Sequence, residues 1–78
     1  MNSYALLIQC DSKEVIPDVE KKLSLAGFTD ILRIDDKRKT HDIEVEIRAP
    51  SSNAALLIKK DVERDSNHMI RSIAIALR

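Results

Sequence analysis

The chain has 78 residues, of which 44% are hydrophobic and 33% are charged, and thirteen Lys and Arg residues balance thirteen Asp and Glu residues. This length fits one domain, and the composition is that of a globular chain rather than a disordered one. Because phosphate contacts dominate the affinity of nucleic-acid binders, a chain with no basic excess is not expected to bind DNA or RNA directly.

A single cysteine, Cys10, excludes an internal disulfide and any Cys-x-x-Cys metal or redox motif. It follows an apolar run, so we expect a buried hydrophobic residue rather than a reactive thiol. The N-terminal run Tyr4–Ile8 lacks the basic residues of a signal peptide, and no apolar stretch reaches the roughly 18 residues that cross a bilayer. We therefore expect a cytoplasmic protein with no membrane partner.

The first predicted element is a short apolar strand, Tyr4–Cys10, typical of a central strand covered on both faces or nearly so. Asp11 follows it and Glu14 stands three residues later, which is the spacing of a helix capping box. Proline is tolerated only near the start of a helix, so we expect the regular helix to begin at Ile16 or Pro17 after a looser turn.

This helix has one apolar stripe and ends at the only glycine of the chain. The stripe recurs at helical spacing and comprises Val15, Ile16, Val19, Leu23 and Ala26. Gly27 stands where a helix ends in a left-handed cap, because glycine adopts a positive φ without steric cost.

The next two strands are predicted to pair as a hairpin. Phe28–Ile34 is the second strand, 35–40 is a charged turn, and His41–Ala49 is the third strand. From Ile43 to Arg48 apolar and charged residues alternate without a break. This period of two indicates a strand with one face on a core and the other facing water or a partner.

The last part of the chain repeats the order of helix and strand. Residues 50–53 form the start of the second helix, whose apolar stripe comprises Ala54, Leu57, Ile58 and Val62. Met69–Leu77 is the fourth strand, and we expect Met69 and Arg71 to lie on the same side as Ile73. The order βαββαβ predicts an α+β, ferredoxin-like fold in a single domain, 1–78. Its four-stranded antiparallel sheet carries both helices on one face.

The sheet has more apolar positions than one face requires. The first and fourth strands are apolar on both sides, with Leu6, Ile8, Ile73, Ile75 and Leu77 set against Leu7, Ile70, Ala74 and Ala76. Because large exposed apolar patches mark interaction surfaces, we expect two copies to associate through their sheet faces in a symmetric dimer.

The chain resembles the effector-binding domain of the Lrp/AsnC transcription regulators, often called the RAM domain. The resemblance runs from Tyr4 to Leu77, and its motifs are the strand Ala5–Ile8, the Gly27-Phe28 step, and the segment 41–51, which reads His-Asp-Ile-Glu-Val-Glu-Ile-Arg-Ala-Pro-Ser. It implies a stand-alone copy of that domain without a helix-turn-helix DNA reader.

The resemblance also implies a function. Domains of this family dimerise through their sheets, assemble into rings of dimers and bind small effectors, commonly amino acids. In the family's hairpin motif, Lys39 matches the glycine, His41 the aromatic residue and Asp42 the acid, while Ser72 matches a hydroxyl position on the last strand. These four residues are the predicted ligand-binding residues. No cofactor is implied, and full-length Lrp/AsnC regulators are the implied protein partners.

The charges of the hairpin support a site there without the resemblance. A zwitterionic amino acid needs an acid for its ammonium group and donors for its carboxylate, and the segment 35–42 supplies both. The alternative is a solvated turn that keeps the sheet edge polar, in which Asp42 hydrogen-bonds the backbone amides of its own turn.

Three classes of function follow: a small-molecule sensor and oligomerisation module, a ligand-free protein-interaction domain of the same fold, and a small dimeric α/β-barrel enzyme. We do not expect an enzyme, because the chain has one Phe, one Tyr and no Trp to line an enclosed pocket. Neither His41 nor His68 has the ligand spacing of a metal site. Ile8 and Val45 stand where an RNA-binding sheet needs aromatic residues.

Overall fold

The computed structural model describes all 78 residues and has one four-stranded antiparallel sheet and two α-helices. The elements in chain order are β1 (Asn2–Cys10), α1 (Ile16–Leu25), β2 (Ile31–Arg33), β3 (Ile43–Ala49), α2 (Ser52–Arg64) and β4 (Ile70–Leu77). The strand order in the sheet is β2-β3-β1-β4, with β1 and β3 at the centre. The predicted ferredoxin-like fold is confirmed.

The core lies between the helices and one face of the sheet. Leu6 on β1 is paired with Val45 on β3 and with Ile75 on β4, so these side chains share one face. Leu6 and Val45 are fully buried. The helices add Ile16, Val19 and Leu23 from α1 and Ala55 from α2 to this single cluster. Both helices therefore cover the same face, as the right-handed crossovers require.

Local sequence explains how α1 begins and ends. A 3₁₀ turn, Lys13–Val15, precedes α1, and Pro17 lies in its first turn, as predicted. The predicted capping box is wrong, because no side chain caps either the 3₁₀ turn or α1, and the side chain of Asp11 points to Arg71, at 3.9 Å. At the other end Gly27 has a φ of 101° and Phe28 N–H donates to the Leu23 carbonyl, which is a Schellman cap.

The second helix begins as the sequence predicts. Ser51 precedes α2 in extended conformation, and its Oγ accepts from Ala54 N–H at 3.2 Å. This bond satisfies one of the donors that the first turn of a helix leaves free.

Two predicted strands differ from the structure. The regular part of β2 is only three residues long, although Ile34 N–H still donates to the Asp42 carbonyl and Glu46 N–H to the Asp30 carbonyl. In β4 the register shifts, so that Ser72 pairs with Gln9 but Ile70 pairs with Cys10. The predicted alternation from Met69 to Ile73 is therefore wrong, because an extra residue in the strand turns Ile70 towards the core.

Candidate association surface and effector site

The face of the sheet opposite the helices is not covered by any element of the chain. We call this surface the open face. By the alternation of side chains in the paired strands it comprises Ser3, Ala5, Leu7, Gln9, Leu32, Glu44, Glu46, Arg48, Ser72, Ala74 and Ala76.

Small apolar side chains form the centre of the open face. Ala5 on β1 pairs with Ala76 on β4, and Leu7 pairs with Ala74. Ala5 is buried, so the short side chains that another surface can approach closely are those of Ala74 and Ala76 on β4. The sequence predicted that Leu7, Ala74 and Ala76 share this face, but the fourth residue of that group, Ile70, packs on the helix side instead.

Charged side chains border the small residues. Arg78, next to the end of β4, forms an ion pair with Glu44 on β3. Because β1 lies between these strands, this ion pair spans β1 on the open face. Nε2 of His41 lies 3.7 Å from a carboxylate oxygen of Glu44, and this nitrogen is shielded from solvent without a hydrogen-bond partner.

The main chain of Asp42 connects three strands. Its N–H donates to the Ile8 carbonyl of β1 at 2.8 Å, and its carbonyl accepts from Ile34 N–H, just beyond β2, at 2.9 Å. Asp42 itself directly precedes β3. The position of its side chain is therefore fixed by the sheet.

Both carboxylate oxygens of Asp42 have partners within the chain. Oδ2 accepts from Cys10 N–H at 2.8 Å, and Oδ1 lies 2.9 Å from Nζ of Lys39. Burial alone raises the pKa of this carboxyl, but the hydrogen bonds from Lys39 and from the Cys10 amide outweigh it and hold the pKa below its usual value. The predicted alternative was wrong about the amide, which belongs to β1 and not to the turn of Asp42.

Lys39 closes the loop between β2 and β3. Its Nζ also donates to the Ile34 carbonyl at 3.3 Å, and its own N–H donates to the Asp36 carbonyl at 3.1 Å. The ammonium group thus lies between a carboxylate and a carbonyl, each of which attracts a cation. The structure brings Lys39 and Asp42 into direct contact, with His41 beside them.

Ser72 is separated from the other three predicted residues by β1. Its Oγ donates to Oε1 of Gln9 at 3.3 Å, and Gln9 directly precedes Cys10, whose amide binds Asp42. Gln9 therefore connects the two parts of the candidate site, and it was not among the predicted ligand-binding residues. The signal was present, because Gln9 is the only polar residue between Tyr4 and Cys10.

Cys10 does not provide a nucleophile at this site. Burial, followed by the negative charge of Asp42, raises the pKa of its thiol to about 11, so the reactive thiolate is scarce at neutral pH. The predicted burial of Cys10 is confirmed. No cluster of three or more His, Cys, Asp or Glu side chains is arranged to hold a metal ion.

Neither α1 nor α2 combines the length and the apolar character needed to cross a bilayer. Comparisons with protein families, curated proteins and solved structures found no match for this chain.

Proposed function

We propose that this chain is a small-molecule effector-binding and oligomerisation module of the Lrp/AsnC type, which acts in transcription regulation by assembling with itself and with full-length regulators. The observation that carries the proposal is the open face, whose small apolar centre is bordered by charged residues and covered by no element of the chain.

The shape of the open face favours a second sheet as its partner. Stacked sheets pack about 10 Å apart, and the short side chains of Ala74 and Ala76 are compatible with such an approach. A typical stable interface buries about 800 Å² on each partner, roughly one-seventh of the 5350 Å² surface of this chain. Zero net charge removes long-range repulsion between copies. A symmetric dimer is the simplest assembly with these properties.

The effector site belongs to the polar end of the open face. Lys39 and Asp42 offer opposite charges, and the ring of His41 lies beside them. A carboxylate has about four acceptor positions, so Asp42 can bind a ligand ammonium while it keeps the Cys10 amide. An amino acid fits this set of groups, because its ammonium would face Asp42 and its carboxylate would face Lys39.

A ligand-free interaction domain is the second candidate. It is favoured by the mutual contact of Lys39 and Asp42, which satisfies both charges without any ligand. In this case the loop between β2 and β3 only connects the two strands, and the function of the chain is assembly through the open face.

Thermal unfolding in the presence of the common amino acids separates the two candidates. A ligand present at 100 times its dissociation constant stabilises the fold by about 2.7 kcal/mol, which for this chain length is a rise in Tm of more than roughly 10 °C. We expect Ser72→Ala to reduce the rise, because this hydroxyl holds Gln9 beside the site. Ser24→Ala, on the exposed end of α1, is the matched control and should leave the rise unchanged.

A panel of amino acids without any rise would reject the effector site and leave the ligand-free domain. A rise that is as large in Ser72→Ala as in Ser24→Ala and the unchanged protein would show that the ligand binds away from Ser72 and Gln9.

A further inference from the structure

A groove between the two helices lies on the side of the sheet opposite to the open face. Its volume is about 560 Å³, within the range of small-molecule sites. The groove exists because α1 and α2 both pack on the sheet but barely contact each other. None of the sequence motifs predicts this groove.

The floor of the groove is apolar and consists of side chains that the core does not fully cover. This apolar lining includes Leu23 of α1, Ile58 and Val62 of α2, and Phe28 and Met69 from the segments next to the helices. All except Leu23 are only half-buried although they pack against the core. Filling the groove would remove this apolar surface from water, which is favourable in proportion to the area covered.

The charged groups at the rim of the groove are two carboxylates and one ammonium group. Asp61 and Asp65 lie one helical turn apart at the C-terminal end of α2, and Lys22 lies on α1. Nζ of Lys22 donates at 3.0 Å to the carbonyl of Asp65 and forms no ion pair with either carboxylate. The carboxylates pair only with Arg64, which is exposed and does not line the groove.

The end of α2 adds to the negative character of this rim, which the ammonium group of Lys22 offsets at one carbonyl only, that of Asp65. The C-terminus of a helix carries a partial negative charge from its free carbonyl groups, which attracts cations and repels anions. The carboxylates of Asp61 and Asp65 also attract cations and repel anions. Their ion pairs with Arg64 do not cancel this effect, because ion pairs at the surface are weak. An anionic ligand would therefore meet repulsion at two carboxylates, and a neutral one would gain no charge interaction with them.

We propose that this groove binds small apolar molecules that carry a protonated amine. The apolar body lies against Ile58 and Val62, and the ammonium group lies at Asp61 and Asp65. This site is separate from the hairpin and from the open face, so it does not depend on the proposed function.

Three probes with the same phenyl body test the charge preference in the whole chain: 2-phenylethylamine, 2-phenylethanol and 3-phenylpropanoate. Amide chemical-shift changes in NMR titrations report both the site and the affinity. We expect the amine to shift the amides of the groove residues and to bind at least tenfold more tightly than either other probe. Equal affinity of the amine and the carboxylate, or shifts located outside the groove, would overturn the proposal.

Two variants and one control complete the test. The double variant Asp61→Asn with Asp65→Asn should reduce the affinity for the amine about tenfold, towards that of the alcohol. Ala26→Phe should block the groove without disturbing the core, because Ala26 is exposed and lines the groove. Asp18→Asn, on the exposed first turn of α1, is the matched control and should bind the amine as the unchanged protein does. Unchanged amine binding in both groove variants would show that the amine binds elsewhere.

Discussion

Leu6→Ala is expected to lower the free energy of unfolding by about 2–5 kcal/mol, the range for truncating a fully buried leucine. Leu6 is 0% exposed, and its strand is flanked by β3 and β4, which limits how far the surroundings can relax into the cavity. A chain of this length has a total stability of about 4–12 kcal/mol. Equilibrium denaturation in urea should therefore show a much lower midpoint, or a chain that is already partly unfolded in buffer.

Leu77→Ala is the matched control for this variant. Leu77 is 72% exposed at the end of β4, so the same truncation should change the stability by less than about 0.5 kcal/mol. Similar losses in Leu6→Ala and Leu77→Ala would mean that β1 does not form the centre of the core.

The second large effect is expected at the carboxylate that connects the loop to β1. Asp42→Ala leaves the amide of Cys10 without its acceptor and should cost about 1–3 kcal/mol. Asp42→Asn keeps an acceptor oxygen for this amide but loses the charge, so its cost should be smaller. Lys39→Met removes the ion pair with Asp42 and the long hydrogen bond to the Ile34 carbonyl, and should cost about 0–1 kcal/mol. Thermal denaturation of the three variants should give losses in this order.

The pH dependence of stability provides an independent check of Asp42. Its pKa is lower in the folded chain than in the unfolded chain, so its contribution is fully present above the ordinary carboxylate pKa of about 3.9. The contribution is lost as the pH falls from there through the lowered folded pKa. The difference in stability between the unchanged protein and Asp42→Asn should therefore shrink in acid. Ser24→Ala, which removes no titratable group, is the control, and its difference from the unchanged protein should not change with pH. A difference that is constant from pH 7 to pH 2.5 would contradict the described role of Asp42.

The order of the elements could be predicted because each one follows from local patterns. The alternation from Ile43 to Arg48 is enough to define β3, and Gly27 alone marks the end of α1. The bulge in β4 could not be predicted, because both possible registers place apolar residues on the core side, and only the packing of Ile70 selects one.

The sequence could predict where the candidate site lies in the fold but not which groups hydrogen-bond to each other there. The charged residues before Ile43 had to lie at one end of the sheet in any ferredoxin-like arrangement. That the carboxylate of Asp42 binds the amide of Cys10, 32 residues earlier, depends on the register of β1 against β3, which no local pattern contains. The groove between the helices could not be predicted either. The gap depends on how α1 and α2 are placed on the sheet and not on the apolar stripe of either helix.

Sedimentation equilibrium over a range of concentrations tests the central claim most directly, in a comparison of the unchanged protein with Ala74→Arg. Ala74 is exposed at the centre of the open face, so a long charged side chain there should block assembly while thermal unfolding of the single chain stays nearly unchanged. Ser24→Arg places the same charge on the exposed end of α1 as the control. We predict a dimer or a larger assembly for the unchanged protein and for Ser24→Arg, and a monomer for Ala74→Arg. A monomeric unchanged protein, or an Ala74→Arg variant that assembles as the unchanged protein does, would contradict association through the open face.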